Sequence, residues 1–341
     1  MMNTKEPVLA ITMGEPAGIG GEILLKAWQA LQKGGPAFVA IDDPARLRGI
    51  ASRLSIEVPV RQVADPAEAA RAFADALPVL ALGTAVAAVA GEPSAATAPS
   101  VIASIERAVS LALAGSVSGV VTNPIQKSVL YEAGFSFPGH TEFIGSLTGA
   151  DFEPVMMLTA RDLRVAPVTI HVSLRTAIRL LTSDLIVDRA RRTAAALMQD
   201  FGIPQPRLAI LGLNPHAGEK GSMGTEDQQI IAPAIARLRA EGINAFGPLP
   251  PDAAFSDHAR KAYDAAICMY HDQALIPVKT LDMNGGVNIT LGLPIVRTSP
   301  NHGTALDIAG RGVANPDSIV AAIVLAAEVA RKRAAAKEKG R

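Results

Sequence analysis

The sequence predicts an α/β protein with a largely parallel sheet. Two observations carry this. Short β-branched apolar runs alternate with Ala-rich stretches of helical spacing, and polar or glycine-rich clusters fall just after the apolar runs. The 341 residues, 49% of them hydrophobic, suffice for about two domains or one large one.

In chain order, VLAITM (Val8–Met13) reads as a strand, Gly14 to Gly21 as a glycine-rich loop, and Glu22 to Gln32 as a helix. AFVAID is a second strand, stopped by a turn starting at Asp42-Asp43-Pro44. PAEAARAFADA is a helix and LPVLAL a strand. SVIASIERAVSLALAG is an amphipathic helix with Ser100 as a cap and Gly115 as its stop. VSGVVTNP runs from strand into loop. VMMLTA and LRVAPVTIH read as paired strands. Thr182 to Met198 is a helix capped by Thr182 or Ser183, and RLAILGLNPH is a strand entering a loop. Glu226 to Ala240 is a helix ended by Gly242. DAAICMYHD and ALIPVKT are expected to be strands flanking a turn, and Pro316 to about Ala335 is the last helix.

Composition narrows the function. Lys and Arg total 32, as do Asp and Glu, so the chain lacks the charge excess of a general nucleic-acid binder. The Lys/Arg-rich end from Arg331 reads as a solvated helix terminus. A single cysteine, Cys268, rules out a disulfide within the chain and, within AAICMY, reads as a buried thiol. The opening MMNTKEPVLAITMGEP shows no leader pattern, and no run of about 18 apolar residues is present. A soluble, cytoplasmic protein without a membrane partner is expected.

The polar clusters are Gly14–Gly21, Thr122–Lys127, His171, Asn214–Gly224, His271–Gln273 and Asn301–Gly310. Ligands of open α/β folds bind at the carboxyl ends of strands. Three of the six histidines, His171, His216 and His271, end apolar runs. Each is either a hydrogen-bonded structural histidine or one of three imidazoles around a catalytic zinc, cobalt or similar ion. Asp272 is placed to orient His271 or to bind substrate. The loop MGEPAGIGGE lets backbone approach an anion at a helix start, or is a plain tight turn. His140 and Thr141 open a helix, where they meet an anionic or hydroxyl group, or Thr141 simply caps it. Lys279, Asn288 and Arg297, within one short extended region, suit a substrate carrying carboxylate and phosphate, or are ordinary surface residues. Asp252, Asp257 and His258 are either a base or turn residues.

Together TMGEPAGIGGE, TNPIQK, PGHTEF, LNPHAGEKGSMGTE, YHDQALIPVKT and VNITLGLPIVRTSPNHGTALDIAG resemble the 4-hydroxythreonine-4-phosphate dehydrogenase family, from about residue 8 to 330. HGTALDIAGRGVANP is also similar to the cofactor loop of isocitrate and isopropylmalate dehydrogenases. The resemblance implies two α/β/α domains around a central cleft, residues 1–130 plus 300–341 with the cofactor loops and residues 131–299 with the metal and substrate residues and the dimer contacts. It implies a homodimer whose metal site, His171, His216 and His271, is shared between subunits. It implies substrate contacts at His140, Thr141, Lys279, Asn288 and Arg297, and a cofactor loop at Gly303, Thr304, Ala305, Asp307 and Ile308. The activity implied is oxidation of 4-phosphooxy-L-threonine by NAD(P)+ with Zn2+, Co2+ or Mg2+, in pyridoxal phosphate synthesis. Asp252 and Lys279 are candidate bases. Glu15 and Gly21 depart from the family's common Asp and Pro. The alternatives are a paralogue acting on a phosphorylated threonate or erythronate or on a dihydrodiol, a non-catalytic anion binder, and a phosphotransacetylase-like acyl transferase.

Overall fold

The computed structural model describes residues 7–150 and 153–339. The first six residues, part of the stretch read as free of a leader, and the last two of the basic tail lie outside them. No helix among the described residues is long and apolar enough to cross a membrane.

The strands are β1 (Leu9–Thr12), β2 (Phe38–Asp42), β3 (Val60–Val63), β4 (Leu77–Ala81), β5 (Gly119–Val121), β6 (Val155–Ala160), β7 (Leu163–Pro167), β8 (Arg207–Leu211), β9 (Asn244–Leu249), β10 (Ala265–Cys268), β11 (Val287–Leu291) and β12 (Arg297–Pro300). The chain forms two compact units, Met1–Pro154 with Leu293–Ala334 and Val155–Gly292 with Ala335–Arg341.

In the first unit the strands run parallel in the order β3-β4-β2-β1-β5-β12. Helices supply the crossovers that parallel neighbours require. The central strands are buried along their length, and read as unbroken apolar runs for that reason. The helix Ala98–Leu113 buries Val101, Ile105, Ala108 and Val109, its i, i+4, i+7 and i+8 face. It starts two residues before Ser100, so Ser100 is not its cap. Asp42-Asp43-Pro44 is more than a turn. Asp43 accepts from the Ala45 amide and caps a helix, Pro44–Arg53, with proline in its first turn.

The second unit is mixed rather than parallel throughout. β6 pairs antiparallel with both β11 and β7, while β7-β10-β8-β9 run parallel. The two-residue link between β6 and β7 explains this, because so short a connection closes a hairpin and not a crossover. Two expectations need correction here. ALIPVKT is not a strand but part of a helix, His271–Leu281, which contains Pro277. It buries Ala274 and Val278, four residues apart, and leaves Ile276 exposed, so one helical face overrides the extended-looking composition. The unit boundaries fall after Pro154 and Gly292, not after residues 130 and 299. Phe135, Phe143 and Ile144, and also Leu293 and Ile295, share one apolar cluster with Ile41 and Ile105 of the first unit.

One ion pair in the first unit is nearly buried, its side chains 6% and 1% exposed. Arg46 donates through Nε and Nη2 to the two carboxylate oxygens of Asp42, at 2.9 and 2.6 Å, and its Nη1 reaches the Pro16 carbonyl at 3.2 Å. Removing one partner of such a pair strands the other charge in the interior. Asp42→Ala is expected to cost about 3–5 kcal/mol in urea unfolding. The double variant Asp42→Ala/Arg46→Met recovers most of it.

Candidate active site

In the second unit the chain leaves β7, β8 and β10 into three segments that bear the histidines. His271 is the first residue of its helix, with Tyr270 at the N-cap position. Its Nδ1 lies 2.7 Å from Asp272 Oδ1, which fixes the ring and leaves Nε2 for a ligand. His171 follows β7 in a bend, and its ring centroid is 5.6 Å from that of His271. Both line one open pocket with Tyr270, Asp272, Val172 and Leu174. Two short links hold these segments together. The Val168 amide donates to the Cys268 carbonyl at 2.7 Å, and Thr169 Oγ1 donates to the Met269 carbonyl at 2.9 Å. Cys268 is buried, and burial pushes its thiol pKa up, as suits a structural cysteine.

His216 sits in an unusual turn. Every residue from His216 to Lys220 has a positive φ, between 39° and 79°. Of the eight non-glycine residues with positive φ among the described residues, five are His171, His216, Ala217, Glu219 and Lys220, and a sixth is Ala305. Each costs on the order of 1 kcal/mol in an L-residue. Such strain persists where surrounding bonds over-determine it, and here it coincides with segments singled out by sequence.

No group of three histidine, cysteine or acidic side chains fit to hold a metal occurs within one chain among the described residues. His171 and His271 are adjacent imidazoles with one orienting carboxylate, a donor set suited to a divalent ion, but His216 does not complete it within one chain.

The other predicted residues of this unit are more dispersed. Lys279 is on the His271 helix and not in an extended segment. Asn288 is on β11, and its Oδ1 is buried without a hydrogen-bond partner among the described residues. Asp252 is exposed in the short helix Pro251–Ala254. Asp257 pairs with Arg260 at 2.8 Å.

In the first unit, Arg297 opens β12 and is buried, with Nη2 donating to Thr122 Oγ1 at 2.7 Å. Burial lowers its pKa to about 10, and Glu142 offsets this only in part. His140 begins the helix His140–Leu147, behind Gly139 as N-cap, so Thr141 lies inside the helix and does not cap it. His140 Nε2 is buried with no hydrogen-bond partner among the described residues. Burial first, then the positive charges of Arg297 and Lys127, hold His140 well below the ordinary histidine pKa. A buried nitrogen without a partner beside a buried cation has the chemistry to receive an anion.

The loop after β1 and the loop after β12 meet within this unit. The Ile19 amide donates to the Thr304 carbonyl at 3.1 Å, and Thr304 Oγ1 donates to Gln126 Oε1 at 3.0 Å. A Cβ on Gly18 would stand 2.8 Å from the Thr304 oxygen, so the approach requires glycine. Gly303 and Asp307 are exposed, Ala305 is left-handed, and Ile308 closes a 3-10 turn. Sequence reasoning missed four site-proximal residues: Asn123, Lys127, Asp227 and Gln273. Three stand in motifs named above and Asp227 lies one residue past LNPHAGEKGSMGTE, but none has a local signature that marks a role.

A family model described as pyridoxal phosphate biosynthetic protein PdxA matches residues 36–326. The 4-hydroxythreonine-4-phosphate dehydrogenase of Caulobacter vibrioides is 56% identical over 330 residues, 95% of this chain and 98% of its own. A crystal structure of 4-hydroxythreonine-4-phosphate dehydrogenase from Klebsiella pneumoniae superposes with TM-score 0.85 at 37% identity, covering 96% of this chain and 99% of that one. A terephthalate 1,2-cis-dihydrodiol dehydrogenase from Burkholderia xenovorans gives TM-score 0.63 at 28% identity, covering 94% and 98%. Fold and relatives thus define an enzyme of the oxidoreductase class. Within that class, the chain belongs to the PdxA family, the 4-hydroxythreonine-4-phosphate dehydrogenases.

The His140 environment gives a pH prediction. The unfolded chain takes up a proton as pH falls through about 6.5, whereas folded His140 stays neutral until well below that. Its contribution is therefore full above pH 6.5 and is lost as pH falls toward the folded pKa. Thermal melts between about pH 7.5 and 5.5 should show a smaller acid loss for His140→Gln than for wild type.

Proposed function

We propose that the protein oxidises 4-phosphooxy-L-threonine at C3 with NAD(P)+, giving a β-keto acid that decarboxylates to 3-amino-2-oxopropyl phosphate, in the synthesis of pyridoxal phosphate. Membership of the PdxA family carries this reading. The substrate class agrees with the anion receptor at His140 and Arg297. The dihydrodiol alternative has only the more distant relative on its side.

The metal would be held by His171, His216 and His271, with one of the three supplied by a second subunit. A divalent ion there would supply Lewis acidity at the C3 hydroxyl, and Zn2+, Co2+ and Mg2+ all remain candidates. The apolar surface beside the histidines supports a homodimer. Val172, Leu174, Ile178 and Leu180 are all exposed on and next to one short helix, Leu174–Leu180.

The residues of the chain divide the remaining work. His140, Thr141 and Arg297 hold one anionic end of the substrate, and Lys279 and Asn288 contact another part. Neutral His140 accepts or donates one hydrogen bond without adding charge. Gly303, Thr304, Ala305, Asp307 and Ile308, braced by the loop at Gly18, position the nicotinamide cofactor. A bound nicotinamide would supply the hydride acceptor for C3, and Asp252 or Lys279 would take the hydroxyl proton. The C1–C2 bond then breaks with loss of CO2, its electron pair is taken up by the C3 ketone as an enolate, and C2 gains a proton to give 3-amino-2-oxopropyl phosphate. The protein works in the cytoplasm as a soluble enzyme.

The test is a substrate panel on metal-stripped protein, following reduced nicotinamide by absorbance. 4-Phosphooxy-L-threonine with NAD+ or NADP+ should turn over only after metal is added back. His171→Ala or His271→Ala should lower kcat/KM by more than about 100-fold. Faster turnover of 4-phospho-threonate, 4-phospho-erythronate or a dihydrodiol would sink the substrate assignment. Full activity without metal would sink the mechanism.

A further inference from the structure

The turn that carries His216 is held from beneath by two buried polar side chains. Asp227 is 1% exposed and begins a single π-turn, Asp227–Ile231. Its Oδ1 accepts from the Leu213 amide at 2.9 Å, and its Oδ2 accepts from the Asn214 amide at 3.2 Å and from Asn214 Nδ2 at 2.9 Å. Asn214 Nδ2 also reaches Glu226 Oε2 at 2.8 Å. Three donors of the two residues before Pro215 thus converge on one carboxylate. Space around it is closed on both sides. A Cβ on Gly212 would stand 2.8 Å from Asp227 Oδ1, and one on Gly218 would stand 3.2 Å from Oδ2.

Gln273 fixes the base of the same turn. It is 6% exposed, and it follows His271 by two residues. Its Oε1 accepts from the Met269 amide at 2.6 Å, and its Nε2 donates to the Gly212 carbonyl at 2.8 Å. The amide therefore ties the end of β10, which leads to His271, to the end of β8, which leads to His216. Both ends of this bridge are buried, so a side chain lacking either function leaves an unsatisfied backbone group.

We propose that Asp227 and Gln273 are positioning residues for metal binding, holding the left-handed His216 turn where its imidazole can serve as a ligand. The turn is costly as backbone, and these bonds are what over-determines it. Neither side chain is a ligand in this reading: Asp227 acts through His216, and Gln273 through the strand ends that lead to His216 and His271. The proposal rests on the metal reading of the three histidines given above.

The test measures zinc affinity of the full-length protein by competition with a chromophoric chelator, alongside thermal melts. Asp227→Asn keeps the size and removes one acceptor; Gln273→Met keeps the volume and removes the bridge. Each should weaken zinc binding about 10–100-fold. If Asp227→Asn does not fold, Gln273→Met carries the test. The decisive readout is the cycle with His216→Ala, because a residue that acts through His216 adds no further loss once that imidazole is gone. Unchanged zinc affinity in the folded variants overturns the positioning role. An equal further loss in the His216→Ala background also overturns it, since the effect then does not run through the His216 turn. Wild-type protein that binds no zinc overturns the metal reading itself, and the proposal with it.

Discussion

A run of five left-handed residues is something an L-polypeptide avoids, yet His216 to Lys220 form one. Much of the second unit is arranged around making it tolerable. Asp227 gathers the amides that precede the turn, and glycines at 212, 218 and 224 remove the side chains that would collide with it. Gln273 joins its root to the neighbouring strand end. The parallel order β7-β10-β8 then brings the exits of the three histidine segments onto consecutive strands. An ordinary β-turn at the same place would be less strained.

The first unit meets a different constraint, buried positive charge. Arg46 is resolved inside the protein by Asp42, with both carboxylate oxygens engaged. Arg297 is also buried; Thr122 accepts one of its bonds, and burial, offset in part by Glu142, draws its pKa down to about 10. His140 stays neutral beside it. The same unit braces its two loops backbone to backbone, through Ile19 and Thr304.

Local pattern and tertiary context divide what was legible. The buried strands were readable as short β-branched runs, and the Ala98–Leu113 helix as an amphipathic repeat, because those signals are local. ALIPVKT misled because Leu, Ile, Pro and Val side by side look extended. Only packing of Ala274 and Val278 on one face makes the segment helical. The domain limits were misplaced because Phe135 and Phe143 reveal their partners only in three dimensions. The histidines stood out by type and by place after strands. Asp227 and Gln273 did not, since a buried acceptor is indistinguishable in sequence from a solvated one. Asn288 and His140 became informative only when their orphan atoms were seen.

The central claim is that three histidines on strained or capped strand exits bind one divalent ion. X-ray absorption at the zinc edge of the zinc-loaded, full-length protein counts them directly. The account predicts a first shell containing three imidazole nitrogens at about 2.0–2.1 Å, falling to two in His216→Ala. A shell without imidazole, or one that His216→Ala leaves unchanged, would contradict it.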